Sequence, residues 1–433
     1  MSMNWFKENA IYRYDDDEYV IMYSPIARKY AVATEEHIAD FLKNGGNADV
    51  FRPLAEYVPL DRQNKVRAPR DYTLLTVLPN NVCNFNCSYC YSAAGRNQSV
   101  LDVEKLRRAV DFFIDSKPEG FGKPLTISFM GGGEPMLSWN VVRQGIEYAQ
   151  GRAASKGLKL NLRVITNGSI LNEGIIDFLK SENVEVSVSF EILEDIQNQQ
   201  RKHYNLVKDN IRRLIASGIP VQINSTITPS NVMRMEEMMD VLISEFPQVS
   251  NAMFEPVTAQ GLFPSPDHMR RFYQAYIDGF IAVREKGDRA GVQITSFAYL
   301  RTIFPLERAC PGEFCITADG FITGCYCVAT DSEPLIAHTK YGEASESDVK
   351  FDMERYENLL SANVYSKGIC RDCEVKWNCG GGCFHQFHSY TQDYCDEVCK
   401  FTKDFVSALV RYKVRKQIGT QIPPLPVLLA EQF

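Results

Sequence analysis

The stretch NNVCNFNCSYCYS places three cysteines, Cys83, Cys87 and Cys90, within eight positions. Thiolates this close together bind soft metals, yet zinc and most iron–sulfur clusters take four protein ligands. A three-cysteine site would leave one iron of a 4Fe–4S cluster without a protein ligand. A small molecule could chelate that iron and receive an electron directly. A zinc site completed by a distant histidine, or a loop without metal, uses the same residues.

The other ten cysteines lie between 310 and 399, and none falls in the 219 residues between the two groups. The run ACPGEFCITADGFITGCYC gives Cys310, nine residues, Gly320, four residues and Cys325, with Cys315 and Cys327 in the same run. ICRDCEVKWNCGGGC gives Cys370-x2-Cys373-x5-Cys379-x3-Cys383, and Cys395 and Cys399 follow. An odd total of thirteen in a reducing compartment points to metal or cluster ligation. A pair of zinc knuckles is the plainer reading of the second group.

The elements that must position these residues alternate. From Asp71 onward, apolar runs rich in β-branched and aromatic residues occur at 73–80, 125–132, 160–168, 184–191, 221–228 and 251–257, each followed by a stretch long enough for a helix. Six β/α units predict an α/β fold, a partial TIM-like barrel with a parallel sheet. The cysteine triplet follows the first strand, GGGEP the second, TNG ends the third and FE ends the fourth. All of these fall at the C-terminal face, where barrel active sites form.

Residues 1–70 read as a small α+β unit: either a packed extension or a module that docks a peptide on a strand edge. The expected organisation continues with the barrel at 71–265, a linker helix region at 266–309, a Cys-rich domain at 310–410 and a C-terminal tail at 411–433.

The formal charge is −7 with Lys and Arg dispersed, so no basic stripe marks a nucleic-acid partner. No apolar run approaches the roughly 20 residues of a membrane span, and the first residues lack the pattern of a signal peptide. A cytoplasmic location with no membrane partner is expected.

The pattern Cys-x3-Cys-x2-Cys with Tyr89 before the last cysteine resembles the signature of the radical S-adenosylmethionine (SAM) enzymes. Gly132, Gly133, Glu134 and Pro135 resemble that family's second motif, which binds the methionyl amino group. The resemblance implies that Tyr89 packs on the adenine and that Ser187, Ser189 and Glu191, on one face of the fourth strand by alternation, meet the ribose or the methionyl carboxylate. It implies that Arg201 pairs with that carboxylate; a solvated arginine is the alternative. SFEI stands where the family commonly has S-x-D-G. Thr166 and Asn167 would line the site or merely turn the chain.

The later cysteines match the SPASM extension of the same family. That implies two auxiliary 4Fe–4S clusters, three in all with SAM, one on Cys310, Cys315, Cys325 and Cys383. The other would use Cys370, Cys373, Cys379 and Cys399, with Cys395 as the alternative last ligand. Cys327 and Cys395 remain over, as buried small side chains or, for Cys327, a catalytic thiol meeting substrate. His385 and His388 flank the run and pack there.

By resemblance, SAM cleavage gives a 5′-deoxyadenosyl radical that takes hydrogen from a residue of a ribosomally made precursor peptide, forming a thioether or carbon–carbon crosslink or a related change. An external donor of flavodoxin or ferredoxin type would supply electrons. An anaerobic sulfatase maturase, making formylglycine, is the competing enzyme reading; that family places Asp after the cysteine equivalent to Cys325, where this chain has Tyr326. A zinc-binding interaction protein is the non-enzymatic alternative.

Overall fold

The computed structural model describes residues 4–56, 68–310, 312–419 and 422–430. Near the N-terminus, β1 (Tyr12–Asp15), β2 (Val20–Ser24) and β3 (Lys29–Ala33) form an antiparallel meander. The helix Glu35–Asn44 follows, its N-terminus capped by Thr34, and lays Ile38 and Phe41 on one face of the meander. The other face packs on Val406, Val410 and Val414 of the long helix Gln392–Ile418. The stretch 57–67, which the sequence assigns to the end of this unit, lies outside the described residues.

The six expected strands are present as β4 (Leu74–Val77), β5 (Leu125–Phe129), β6 (Leu160–Thr166), β7 (Val184–Ser189), β8 (Val221–Ile227) and β9 (Asn251–Pro256), parallel throughout and in chain order. Two more strands extend the parallel run. β10 (Gln293–Thr295) joins beside β9, and β11 (Phe314–Ile316) joins beside β4. A hairpin and a further strand, β12 (Phe321–Thr323), β13 (Lys340–Ala344) and β14 (Val349–Phe351), continue the sheet antiparallel from β11. The sheet runs β10-β9-β8-β7-β6-β5-β4-β11-β12-β13-β14, open at both ends, so the barrel is partial.

Strand alternation divides the residues between two faces. Leu75, Val77, Phe314, Ile316, Val184, Val186 and Val188 face the helices in the main core. Leu78 and Cys315 belong to a separate small cluster with Ala329, Met130 and Tyr326 on the inner side.

Two expected boundaries shift. The region 266–309 is no linker: the helix Pro266–Ala290 buries Met269, Phe272, Tyr273, Tyr276, Ile277, Phe280 and Val283, and β10 pairs in the sheet, so both belong to the barrel. The tail expected from 411 is also structured. One helix runs unbroken from Gln392 to Ile418, and β15 (Val427–Ala430) then pairs antiparallel with β3. Its apolar residues explain the return, because Leu428 meets the cluster around Phe41. The N-terminal sheet therefore has β1 and β15 as its edges, and β3 is covered. Among the described residues, no helix is long and apolar enough to cross a membrane.

Candidate functional site

The loops after β4, β5, β6 and β7 meet at one end of the sheet, and hydrogen bonds stitch them together. Asn80 is the first tie: its side-chain amide donates to the Glu134 carbonyl (2.9 Å) and to Ser138 Oγ (2.8 Å), while its Oδ1 accepts from the Val82 backbone (3.1 Å). Backbone bonds from Gly133 to Asn80 O (2.9 Å) and from Glu134 to Val82 O (2.7 Å) lay GGGEP along the start of the cysteine loop. The approach admits only glycine. A Cβ at Gly133 would stand 2.0 Å from Val82 O, and Gly132 adopts φ +81°.

Glu134 is buried behind this turn, and its carboxylate accepts from Thr166 Oγ1 (2.5 Å), Asn167 N (2.7 Å) and Met136 N (3.1 Å). Burial pushes its pKa up, and those three donors pull against the shift. Glu134 thus fastens the TNG turn to GGGEP. Asn167 in turn donates to Asn84 Oδ1 (2.9 Å), inside the cysteine loop. Thr166 and Asn167 therefore tie three loops together rather than merely turning the chain. Pro135 opens the short helical turn Pro135–Ser138 and is buried.

On the cysteine loop, Phe85 N–H donates to Cys83 Sγ (3.4 Å) and Arg96 Nη2 to Cys90 Sγ (3.5 Å). Burial raises the pKa of Cys83 and of Cys87, and the positive charge of Arg201 opposes the shift at Cys87. The donor set suits an iron–sulfur cluster: three thiols, N–H donors aimed at two of the sulfurs and a guanidinium close to the third. Among the described residues no three ligating side chains already converge at the spacing of a single metal ion.

Tyr89, Glu191 and Arg201 form one buried group. The Tyr89 hydroxyl donates to Glu191 and accepts from Arg201 Nη1 (2.9 Å), and Arg201 stands 3.9 Å from Glu191. Glu191 also accepts from Ser225 Oγ (2.8 Å) and Thr226 N (3.0 Å). Its pKa is raised by burial, with Arg201 the strongest opposing influence. Arg201 is therefore a buried partner of Tyr89 and Glu191, not a solvated cation. Its Nε has no hydrogen-bond partner, which leaves a donor for an anionic ligand. Glu191 lies two residues beyond the end of β7, which closes at Ser189. Asn80, Asn84, Ser225 and Thr226 had no motif to mark them; each acts through contacts far away in sequence.

The second cysteine region attaches to the barrel through β11. Cys310 Sγ lies 4.0 Å from Gly324 O, and Ala309 N–H bonds Gly380 O (2.6 Å), which brings Cys310, Cys325 and Cys383 into one neighbourhood. Burial first, and Cys325 second, push the Cys310 thiol up to about 12. Cys370, Cys373, Cys379 and Cys399 form the other neighbourhood. Cys399 is pushed up to about 12 by burial and by those three thiols, and Cys379 to about 11. Such crowding of buried thiols is relieved when a bound metal displaces their protons to solvent. Cys395 stands apart, its Sγ directed at Tyr390 O (3.9 Å). Cys315 is fully buried within β11, and Cys327 follows Cys325 in a turn closed by Val328 N–H to Cys325 O (3.1 Å). His388 stacks on Phe384 (3.8 Å), and burial lowers the His385 pKa, so both histidines pack beside the run.

Residues 77–242 match the Radical SAM superfamily. A radical SAM cyclopropyl synthase, TigE of Paramaledivibacter caminithermalis, is 22% identical over 74% of this chain and 70% of its own length. A cysteine-type anaerobic sulfatase-maturating enzyme of Clostridium novyi is 18% identical over 76% of this chain and 93% of its own. Two solved structures share the fold. Native anSMEcpe with AdoMet and a peptide bound has TM-score 0.62 and 17% identity, covering 80% of this chain and 99% of that one. Streptococcus suis SuiB bound to precursor peptide SuiA has TM-score 0.55 and 14% identity, covering 77% of this chain and 76% of that one.

Proposed function

This chain is a radical SAM enzyme, and from that premise we propose that it is a SPASM-type maturase acting on a ribosomally made precursor peptide. When bound on Cys83, Cys87 and Cys90, a 4Fe–4S cluster supplies the electron that splits SAM into methionine and a 5′-deoxyadenosyl radical. Around it, the backbone at Gly132 and Gly133 would receive the methionyl amino group. The unpartnered Nε of Arg201 would be a donor for the methionyl carboxylate, and the Glu134 network holds those loops still.

The observation that carries the peptide reading is the junction of the two cysteine regions. Tyr91, next to Cys90, meets Tyr326, next to Cys325, with ring centroids 5.8 Å apart. A substrate lying between radical and auxiliary centres can lose a hydrogen at one and an electron at the other. Peptides bound to two proteins of the same fold support this choice of substrate. The bond formed is a thioether or carbon–carbon crosslink or a related change.

The sulfatase-maturase reading has the Clostridium novyi relative in its favour. Against it, Tyr326 brings no carboxylate to the position after Cys325. The carboxylate beside it belongs to Glu313, already bound by Thr76 Oγ1 (2.8 Å) and Tyr326 N (3.1 Å). Mass spectrometry after anaerobic incubation with SAM, dithionite and synthetic peptides separates the two. A crosslinked precursor peptide with 5′-deoxyadenosine is expected; formylglycine in a sulfatase-motif peptide, with no change in any precursor peptide, would overturn the assignment.

A further inference from the structure

We propose that Glu255, at the end of β9, is the group that takes the proton released when the new bond in the peptide closes. The proposal rests on the maturase reading and adds to it a residue that meets the reacting part of the substrate.

A crosslink leaves a proton to be removed. The 5′-deoxyadenosyl radical takes one hydrogen atom from carbon, and when that carbon radical bonds a thiol sulfur or an aromatic carbon, one proton and one electron remain over. The electron passes to an auxiliary iron–sulfur cluster, and the proton needs a base within reach. Tyr326 supplies none. Three buried carboxylates close to the strand ends are already engaged, each with both oxygens bound. Glu134 accepts from Thr166, Asn167 and Met136, Glu191 from Tyr89, Ser225 and Thr226, and Glu313 from Thr76 and Tyr326.

Glu255 keeps one oxygen free. Its Oε2 accepts the Phe297 N–H (2.6 Å), and among the described residues the carboxylate makes no other hydrogen bond or ion pair. Ala252 and Phe254 of the same strand lie in the main core, so alternation turns Glu255 to the inner face of the sheet, where it is half-buried. The inner-facing residues beside it, Asn224 and Thr226 of β8 and Thr295 of β10, are uncharged.

Glu255 also stands where the two parts of the site join. On one side it is opposite Thr226, whose N–H donates to Glu191 of the Tyr89 and Arg201 group (3.0 Å). On the other, Phe297 opens the helix Phe297–Ile303, and Thr302 O in that helix accepts from Asn378, next to Cys379 (3.2 Å). The loop beyond β9 is bound from the same region: Tyr390 donates to Thr258 O, and Thr391 N–H to Gln260 Oε1 (3.3 Å). A free carboxylate oxygen at this junction is placed to meet a peptide lying between SAM and the second cysteine region. Burial lifts the carboxyl to about 7, against the Phe297 N–H and Arg301, one turn along the same helix. Tyr273 and Tyr276 of the helix Pro266–Ala290 are the other titratable groups near it. A carboxylate poised near neutrality can accept the substrate's proton and return it to solvent.

The test uses full-length enzyme reconstituted anaerobically, with SAM, dithionite and synthetic precursor peptides, and reads modified peptide formed per 5′-deoxyadenosine against pH. In wild type this ratio should rise as pH increases through about 7. In Glu255→Gln, which keeps the side-chain shape and the bond from Phe297, it should fall by more than about tenfold and lose that rise. In Glu255→Asp it should return in part. Contact with the peptide is read separately and without turnover. Infrared difference spectra of wild type against Glu255→Gln should show a carboxyl titrating near 7 that moves when the peptide is added. A smaller fall in the ratio, or a carboxyl that titrates unmoved by peptide, overturns the role of Glu255 alone. A wild type that forms 5′-deoxyadenosine but alters no precursor peptide overturns the maturase reading and this role together.

Discussion

Tyr91 and Tyr326 meet edge to face, their rings 5.8 Å apart at 69°, so that the residue after Cys90 touches the residue after Cys325. Between them these tyrosines join the mouth of the barrel to the second cysteine region. Such a contact adds about 0.5–1.5 kcal/mol beyond area burial. Tyr326→Ala should therefore lower stability by roughly 1–3 kcal/mol in urea titration while leaving reductive SAM cleavage intact. Modified peptide formed per 5′-deoxyadenosine should fall. An equal loss of both products would mean that the tyrosine does not link the two regions.

Gly133 has no room for a side chain: a methyl group there would stand 2.0 Å from Val82 O and 2.3 Å from Asn80 Oδ1. Gly133→Ala must push the second motif away from the cysteine loop, at a cost on the order of 1–3 kcal/mol. SAM affinity by calorimetry should drop at least about tenfold, equivalent to about 1.4 kcal/mol. Unchanged affinity would place SAM elsewhere.

Glu255, at the end of β9, accepts the Phe297 backbone N–H. Burial lifts its carboxyl to about 7, against the pull of that donor and of Arg301. A carboxyl raised on folding favours the folded state fully below its unfolded value near 4.5, and that contribution is lost as pH rises through about 7. Stability should thus fall between roughly pH 5 and pH 8, with Glu255 responsible for on the order of 3 kcal/mol at about 1.36 kcal/mol per unit. Glu313, also raised to about 7 by burial, adds a slope of the same sign. Glu255→Gln should flatten the unfolding free energy over this range; an undiminished slope would assign the dependence to other groups.

Cys399 shares a neighbourhood with Cys370, Cys373 and Cys379, whereas Cys395, four residues earlier on the same helix, points at Tyr390 O. Iron analysis should show Cys399→Ala short by up to about four irons and Cys395→Ala with the full complement. The reverse result would exchange their roles.

Much of this was legible in the sequence because strands and cysteines carry local signals. The six barrel strands showed themselves as β-branched runs, and the triplet and GGGEP marked the two loops that meet. What the sequence concealed depends on pairing between distant segments. β10 and β11 are only three residues each, too short to show a period, and β15 is recognisable only once β3 offers its edge. Asn80 and Asn84 look like turn formers, yet they bind Glu134 and Asn167 across the site. Glu191 reads as the next residue of an alternating strand, but the strand has ended by Ser189 and the carboxylate turns to Tyr89 and Ser225.

Whether Cys83, Cys87 and Cys90 hold the cluster that cleaves SAM is tested most directly by comparing wild type with a variant carrying Cys83→Ala, Cys87→Ala and Cys90→Ala. Both would be reconstituted anaerobically, assayed for iron and sulfide, and then given SAM and dithionite. About twelve irons should fall to about eight, with 5′-deoxyadenosine formed by wild type alone. Zinc in place of iron, or 5′-deoxyadenosine formed equally by the variant, would contradict the assignment of this chain's chemistry to a radical SAM cluster on those three cysteines.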